Sequence, residues 1–116
     1  MVRSLARVIV SVSDLRRSAG FYADALGFEP YWESGELARL RSGSVDLLLH
    51  ERGAESSDLG VAIAYEVDDV DRAAADAVAH GGSVVDPPGD QPWGERQSVL
   101  RDPDGHVICV VASIPA

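Results

Sequence analysis

The sequence of 116 residues has no lysine, no asparagine and no threonine, so all ten of its basic residues are arginine. Set against 19 acidic residues, they leave a net charge of −9. That excludes a nucleic-acid binder of the usual kind, which needs a basic face. The charge permits a cationic or neutral ligand, drawn by long-range attraction. Cys109 is the only cysteine, so an intrachain disulfide is excluded. A lone thiol fits a reducing compartment, and the expected location is cytoplasmic. No apolar run approaches the length of a membrane span, and no membrane partner is expected. The opening MVRSLARVIVSV is apolar with two arginines but lacks a small-residue cleavage site, so it reads as a first strand rather than a signal peptide.

What is present is ordinary globular material, 46% hydrophobic and 25% charged. At this length one domain over residues 1–116 is expected, large enough for its own core. Val8–Phe28 organises the rest. Val8, Ile9, Val10 and Val12 are β-branched and suit a strand. Ser13 and Asp14 can cap a helix, and Leu15, Ala19, Tyr22 and Leu26 fall on one helical face. Gly27 stops it. The same grammar returns in Ile63–Val84. Aligning Val12 with Val67 sets Asp14 on Asp69, Leu15 on Val70, Arg17 on Arg72, Ala19 on Ala74 and Gly27 on Gly82. A repeat about half the chain apart implies two copies of one unit.

Taken in order, strands are expected at residues 5–12, 28–33, 36–41 and 45–50, with a helix at 14–26. Residues 51–58 are polar and aperiodic and read as a linker. The second unit then places strands at 59–67, 83–85, 97–101 and 106–112, with an alanine-rich helix at 70–80. Between the last short strands, Asp86–Glu95 carries three prolines and two glycines and reads as a long shaped loop. Asp102-Pro103-Asp104-Gly105 is a tight turn. The expected fold is α+β: two βαβββ repeats, at about 5–50 and 59–113.

The order and spacing of SDLRRSAGFYADALGF, a DD-capped helix ending in GG, and QPWGERQ followed by RDPDGHVICV resemble the vicinal oxygen chelate superfamily. Its members include glyoxalases, extradiol dioxygenases, fosfomycin-resistance enzymes and bleomycin-resistance proteins. The resemblance implies a U-shaped mixed sheet around a cavity with the helices outside, and a homodimer whose cavities are completed across the interface. It also implies four metal-ligand positions, which fall here on Arg7, Leu47, Ala62 and Cys109. The family's ligands there are His, Gln or Glu. A guanidinium stays protonated, Leu and Ala have no donor atom, and one thiol does not hold a hard cation. No metal and no cofactor is therefore expected.

The three histidines divide. His80 ends a helix, His106 follows the DPDG turn and reads as structural, and His50 ends a strand at the expected cavity mouth. Asp68-Asp69 and Asp102 with Asp104 read as a helix cap and a turn rather than an acid–base pair. Cys109 reads as a small buried hydrophobe. The expected ligand wall combines Arg7, Leu47, Leu49, Ala62 and Cys109. Trp32 and Trp93 would stack on a planar guest, and Arg39, His50 and Gln91 would supply orienting hydrogen bonds. The expected function is non-catalytic binding or sequestration of a small aromatic or heteroaromatic molecule, as in antibiotic-sequestering members. The alternatives are a lyase, isomerase or dioxygenase with a relocated or absent metal site, and a structural dimer.

Overall fold

The structure is a computed structural model that describes residues 1–58 and 60–115. Its first half runs β1 (Val8–Val12), α1 (Leu15–Gly20), β2 (Glu29–Ser34), β3 (Leu37–Ser42) and β4 (Val45–Glu51). Its second runs β5 (Ile63–Glu66), α2 (Val70–Ala79), β6 (Ser83–Asp90), β7 (Glu95–Arg101) and β8 (Val107–Ser113). Each half is a βαβββ unit. Each makes a four-stranded mixed sheet, ordered β1-β4-β3-β2 and β5-β8-β7-β6. In both, the first and last strands pair in parallel and the other neighbours are antiparallel. The strands thus form two sheets, with β1 and β5 each at an edge.

The helix starts repeat closely. Asp14 accepts the Arg17 N–H at 3.0 Å and Asp69 accepts the Arg72 N–H at 3.1 Å, both from extended backbone. The helices then diverge. After Gly20, α1 widens into a π-helical stretch, Phe21–Ala25, in place of the continuous helix expected over 14–26. The wider turn takes two adjacent aromatic residues, Phe21 and Tyr22, both inside at 1% exposed. α2 stays regular to Ala79. The left-handed residue after it is Gly81, with φ 95°, the counterpart of Gly27 at φ 79°. Gly82 serves a different need. A Cβ there would lie 2.6 Å from the Arg101 carbonyl oxygen and 2.9 Å from the Phe21 ring.

The proline-rich stretch is not a loop. β6 continues through Pro87 and Pro88 to Asp90, with register shifts on both sides of Asp86. An edge strand needs ladder hydrogen bonds on one side only, and bulges absorb residues that cannot donate. The reversal is confined to Gln91–Gly94, where the Gln91 N–H donates to the Glu95 carbonyl at 2.7 Å. β1 is shorter than expected, and residues 5–7 are exposed without regular structure. β5 also starts late, at Ile63; the expected strand residue Leu59 lies outside the described residues.

One core serves both halves. An edge-to-face chain of rings, Phe21–Tyr22–Phe28–Tyr65, crosses between them at centroid distances of 5.2, 6.1 and 5.4 Å. The connection from β4 to β5 is stitched down as well. The Ser57 hydroxyl accepts the Val107 N–H at 2.9 Å, the Ser57 carbonyl accepts from Arg101, and the Ser56 hydroxyl donates to the Asp104 carbonyl.

Candidate functional site

Strand register decides which side chains share a face. β1 and β4 pair Val8 with Leu47, Ile9 with Leu48, Val10 with Leu49 and Ser11 with His50. Val10, Leu47 and Leu49 belong to the core, with both leucines 0% exposed, whereas Ile9 is 55% exposed. Leu47 and Leu49 therefore face the helix side. The open face of the first sheet carries Ile9, Ser11, Leu48 and His50 instead. The expected wall is displaced by one residue on β4, because a run of three leucines offers no alternation to fix its phase. Arg7 stands exposed just before β1 and makes no ion pair among the described residues.

Arg39 on β3 sits in a polar cluster that sequence reasoning missed. It pairs with Asp46, to which the Tyr31 hydroxyl also donates at 2.7 Å, and the Arg41 guanidinium lies 3.7 Å from the centroid of the Tyr31 ring. The hydrogen bonds from Tyr31 and Arg39, then the nearby arginine charges, hold the Asp46 carboxyl below its ordinary value. Arg39 Nε is buried and has no hydrogen-bond partner among the described residues. The alternation of LARLR put both arginines on one face; the bulge that leaves Tyr31 unpaired in β2 had no sequence signal. His50 lies half-buried with Nε2 4.0 Å from Glu36.

In the second sheet, Cys109 aligns with Ala64 on β5 and Val99 on β7, opposite in phase to the core residues Ile108, Val110 and Leu100. Burial, then the charge of Asp86, raises its thiol, which suits packing rather than nucleophilic attack. Ala62 is exposed and precedes β5. Gln91 is held in the hairpin, donating from Nε2 to the Gly89 carbonyl at 3.2 Å. Trp93, at the same hairpin, is 60% exposed and donates to Glu95 at 2.9 Å. Trp32, on the far edge of the first sheet, is 45% exposed and helps line a shallow hollow with Ala19, Pro30 and Leu40.

A cavity of about 630 Å³ lies elsewhere, at the seam between the halves. Val8, Val10, Ile63 and Ile108 form its apolar wall, and Tyr22 and Tyr65 also line it. Its polar rim is Ser11, Glu55, Ser57 and His106. His106 is fixed by backbone on both sides: Nε2 donates to the Ser11 carbonyl at 2.7 Å and Nδ1 accepts from the Ser57 N–H at 3.3 Å. Beside the cavity, Tyr22 donates to buried Asp102 at 2.7 Å. Burial first, and then Asp102, drives the Tyr22 hydroxyl well above its ordinary value.

The fold and its repeat have known counterparts. Residues 4–110 match the family model of the Glyoxalase/Bleomycin resistance protein/Dioxygenase superfamily. The chain belongs to that superfamily. It is 43% identical over 51 residues to "Putative glyoxylase CFP32" of Mycobacterium bovis and Mycobacterium tuberculosis. That match spans 44% of this chain and only 20% of those curated relatives' length. A glyoxalase-related enzyme from Fulvimarina pelagi shares the fold at TM-score 0.84 and 21% identity, over 97% of this chain and 89% of its own. A glyoxalase/bleomycin resistance protein from Albidiferax ferrireducens aligns at TM-score 0.79 and 25% identity, over 93% and 97%.

The metal that many members of this superfamily carry does not fit the residues here. With the register corrected, the positions corresponding to its ligands hold Arg7, Leu48, Ala62 and Cys109, which offer one raised thiol and no carboxylate or imidazole. Among the described residues no three His, Cys, Asp or Glu side chains are grouped to hold a metal ion.

Proposed function

We propose that this protein binds a small planar organic molecule on the open faces of its sheets and does no chemistry on it. The donor set carries the reading. Positions that hold metal ligands elsewhere in the superfamily carry an arginine, two apolar side chains and one thiol here, and the face around them is built from Ile9, Leu48, Ala64, Val99 and Cys109. Such a face suits an aromatic guest better than a sugar or a polyphosphate. Trp32 and Trp93 stand at the rims of different sheets with large exposed rings. Arg39, aligned with Leu48 on the neighbouring strand, would orient a polar substituent.

The same reading includes a two-fold dimer. The chain exposes 7057 Å², where a monomer of 12.3 kDa exposes about 6,100 Å² by the general size scaling. Ile9, Trp32, Val84 and Val85 contribute to that apolar surface. Pairing the first sheet of one protomer with the second sheet of its partner would cover both faces and bring Trp32 and Trp93 to one groove. Sedimentation equilibrium is expected to give a dimer; a monomer at tens of micromolar, an ordinary range for a stable interface, would remove the groove.

The decisive experiment is a thermal-shift screen of planar aromatic and heteroaromatic compounds, followed by calorimetry on each hit with Trp93→Ala. The variant is expected to fold normally and to lose about 1–3 kcal/mol of affinity. Unchanged affinity, or stoichiometric metal that survives dialysis and is lost on replacing His50, would sink the reading and favour an enzyme with a relocated site.

A further inference from the structure

Arg41 is held in place without being neutralised. Its guanidinium lies over the Tyr31 ring, 3.7 Å from the centroid, and makes no ion pair among the described residues. The ring is itself pinned, because the Tyr31 hydroxyl donates to Asp46 Oδ1 at 2.7 Å. Arg39 engages Asp46 Oδ2, so both oxygens of that carboxylate already have partners. A guanidinium covered on one face keeps its N–H edges open, and their planar fork matches a carboxylate. Register sets what lies beside it. Arg41 aligns with Asp46 and Arg39 with Leu48, so Arg41 stands diagonal to Leu48 on the open face of the first sheet. Diagonal neighbours lie about 7–8 Å apart, a span that one aromatic acid can bridge.

We propose that the guest of this face is a planar aromatic carboxylate, with its ring on Leu48 and Ile9 and its carboxylate on the N–H groups of Arg41. This rests on the sheet-face site described above and adds the sign of the guest's charge. Every contact is within reach of solvent: Arg41 and Ile9 are exposed and Leu48 is half-buried. The net charge of −9 does not decide the matter, because exposed charges more than about 8–10 Å away are largely screened at ordinary salt. Nearby charges do. Arg39 and Asp46 cancel each other. Arg41 remains, together with Arg7, whose charge also acts on Asp46. Against them stands Glu29, which aligns with Arg41 from β2 but makes no ion pair with it. An anion is therefore attracted to this corner of the sheet, and a cation is repelled.

Three probes with one planar body test it in the full-length chain: anionic 2-naphthoate, neutral 2-naphthamide and cationic 2-naphthylmethylammonium. Methyl NMR signals of Ile9 and Leu48 locate each probe, and calorimetry gives its affinity. Naphthoate is expected to shift both methyls and to bind about tenfold more tightly than naphthamide, the difference made by one charge-assisted contact. The ammonium should bind most weakly. Arg41→Gln should lower naphthoate to the affinity of naphthamide and leave naphthamide unchanged. Arg41→Lys should recover only part of the loss, since it keeps the charge without the fork. Glu29→Gln removes the opposing carboxylate and should tighten naphthoate about twofold to threefold. Arg16→Gln, at an exposed arginine on α1, is the control and should change nothing. Unmoved methyl signals of the core residues Val12 and Val110 show that each variant folds. The proposal falls if naphthamide or the ammonium binds at Leu48 as tightly as naphthoate does; the sheet-face site then stands with a neutral or cationic guest. It falls equally if Arg41→Gln binds naphthoate as the parent does. An equal loss in Arg16→Gln would show attraction to any surface arginine and would also overturn it. If none of the three probes moves Ile9 or Leu48 up to its solubility limit, the sheet-face site itself falls and the proposal with it.

Discussion

The first half packs Leu15, Phe21, Tyr22 and Phe28 between its helix and sheet, where the second half packs Val70, Ala73, Ala74 and Ala77. The bulk of the first half does not stay at home. Phe21 reaches the glycine after α2, and Tyr22 reaches Asp102 in the second half. The β-turns differ in the same sense. Ser42–Ser44 joins β3 to β4 with small residues, whereas Asp102–Gly105 joins β7 to β8 and ties down the start of α1. Asp104 accepts from the Ser13 N–H and hydroxyl, the Ser18 hydroxyl and Arg17. One copy of the unit thus supplies large side chains, and the other supplies space and acceptors. Two copies of a fold unit keep their hydrogen-bonded frame and specialise where they touch.

The sharpest way to break this complementarity is to fill the space. Gly82→Ala puts a Cβ against the Arg101 carbonyl and the Phe21 ring, neither of which can swing away. It should cost about 3 kcal/mol. Gly27→Ala in the first half meets no atom within 4 Å and is strained only by its positive φ. It should cost about 1–2 kcal/mol. Urea unfolding of both variants checks the ranking, and equal losses would mean that the close approach at Gly82 is not tight.

Removing the acceptor comes next. The Asp104 side chain is 5% exposed. Asp104→Ala leaves several donors of α1 without a partner and should cost about 2–3 kcal/mol. Burial alone would raise this carboxyl, but the hydrogen bonds from Ser13 and Ser18 and the charge of Arg17 outweigh it and hold it below its ordinary value. A carboxyl depressed in the folded state stabilises fully above its unfolded value, near 4, and loses that contribution as pH falls below it. The parent protein should therefore lose stability between neutral pH and about pH 3 more steeply than Asp104→Asn. Parallel slopes in denaturation curves taken across that range would remove Asp104 from the seam's acid sensitivity.

Much of this frame was legible because it is local. Caps, the glycine stop and the β-branched run at Val8–Val12 each act within a few residues, so the repeat and the element order could be read directly. The proline stretch was misread as a loop because its strand character comes from pairing with β7, and edge position is a tertiary fact. The ligand wall slipped by one on β4 because Leu47, Leu48 and Leu49 are equally apolar, and only pairing with β1 sets their phase. Asp102 and Asp104 were read as turn residues, which they are. Their reach to Tyr22 and Ser13, some eighty to ninety positions back in the chain, has no local signature.

The two seam tyrosines give a smaller effect with opposite signs. Tyr22→Phe removes a 2.7 Å bond to a buried carboxylate and should destabilise by about 1–3 kcal/mol. Tyr65→Phe removes a hydroxyl with no hydrogen-bond partner among the described residues and should be neutral or stabilising by about 1 kcal/mol. Chemical denaturation of both variants at neutral pH measures the contrast. Losses of the same sign would mean that the two hydroxyls share one network and that the seam is less asymmetric than its geometry.

The smallest effect asks whether the frame itself is still shared. Asp14 and Asp69 occupy the same extended backbone, at φ −141° and −139°, and each accepts the N–H three residues on. Neither bond reaches the other half. Loss of such a cap costs about 1 kcal/mol. Asp14→Ala and Asp69→Ala should therefore lower stability equally, within about 0.5 kcal/mol, although their helices differ in length and composition. α1 has a further acceptor, Glu51, but it takes the Leu15 N–H at 2.8 Å and leaves the Arg17 N–H to Asp14 alone. Because the two sites share no partner, the double variant should lose the sum of the single losses. Unequal single losses would show that divergence at the seam has spread into the caps. A double loss well short of the sum would show that the helix starts are coupled through the seam, and that Asp104 already holds α1 when its own cap is gone.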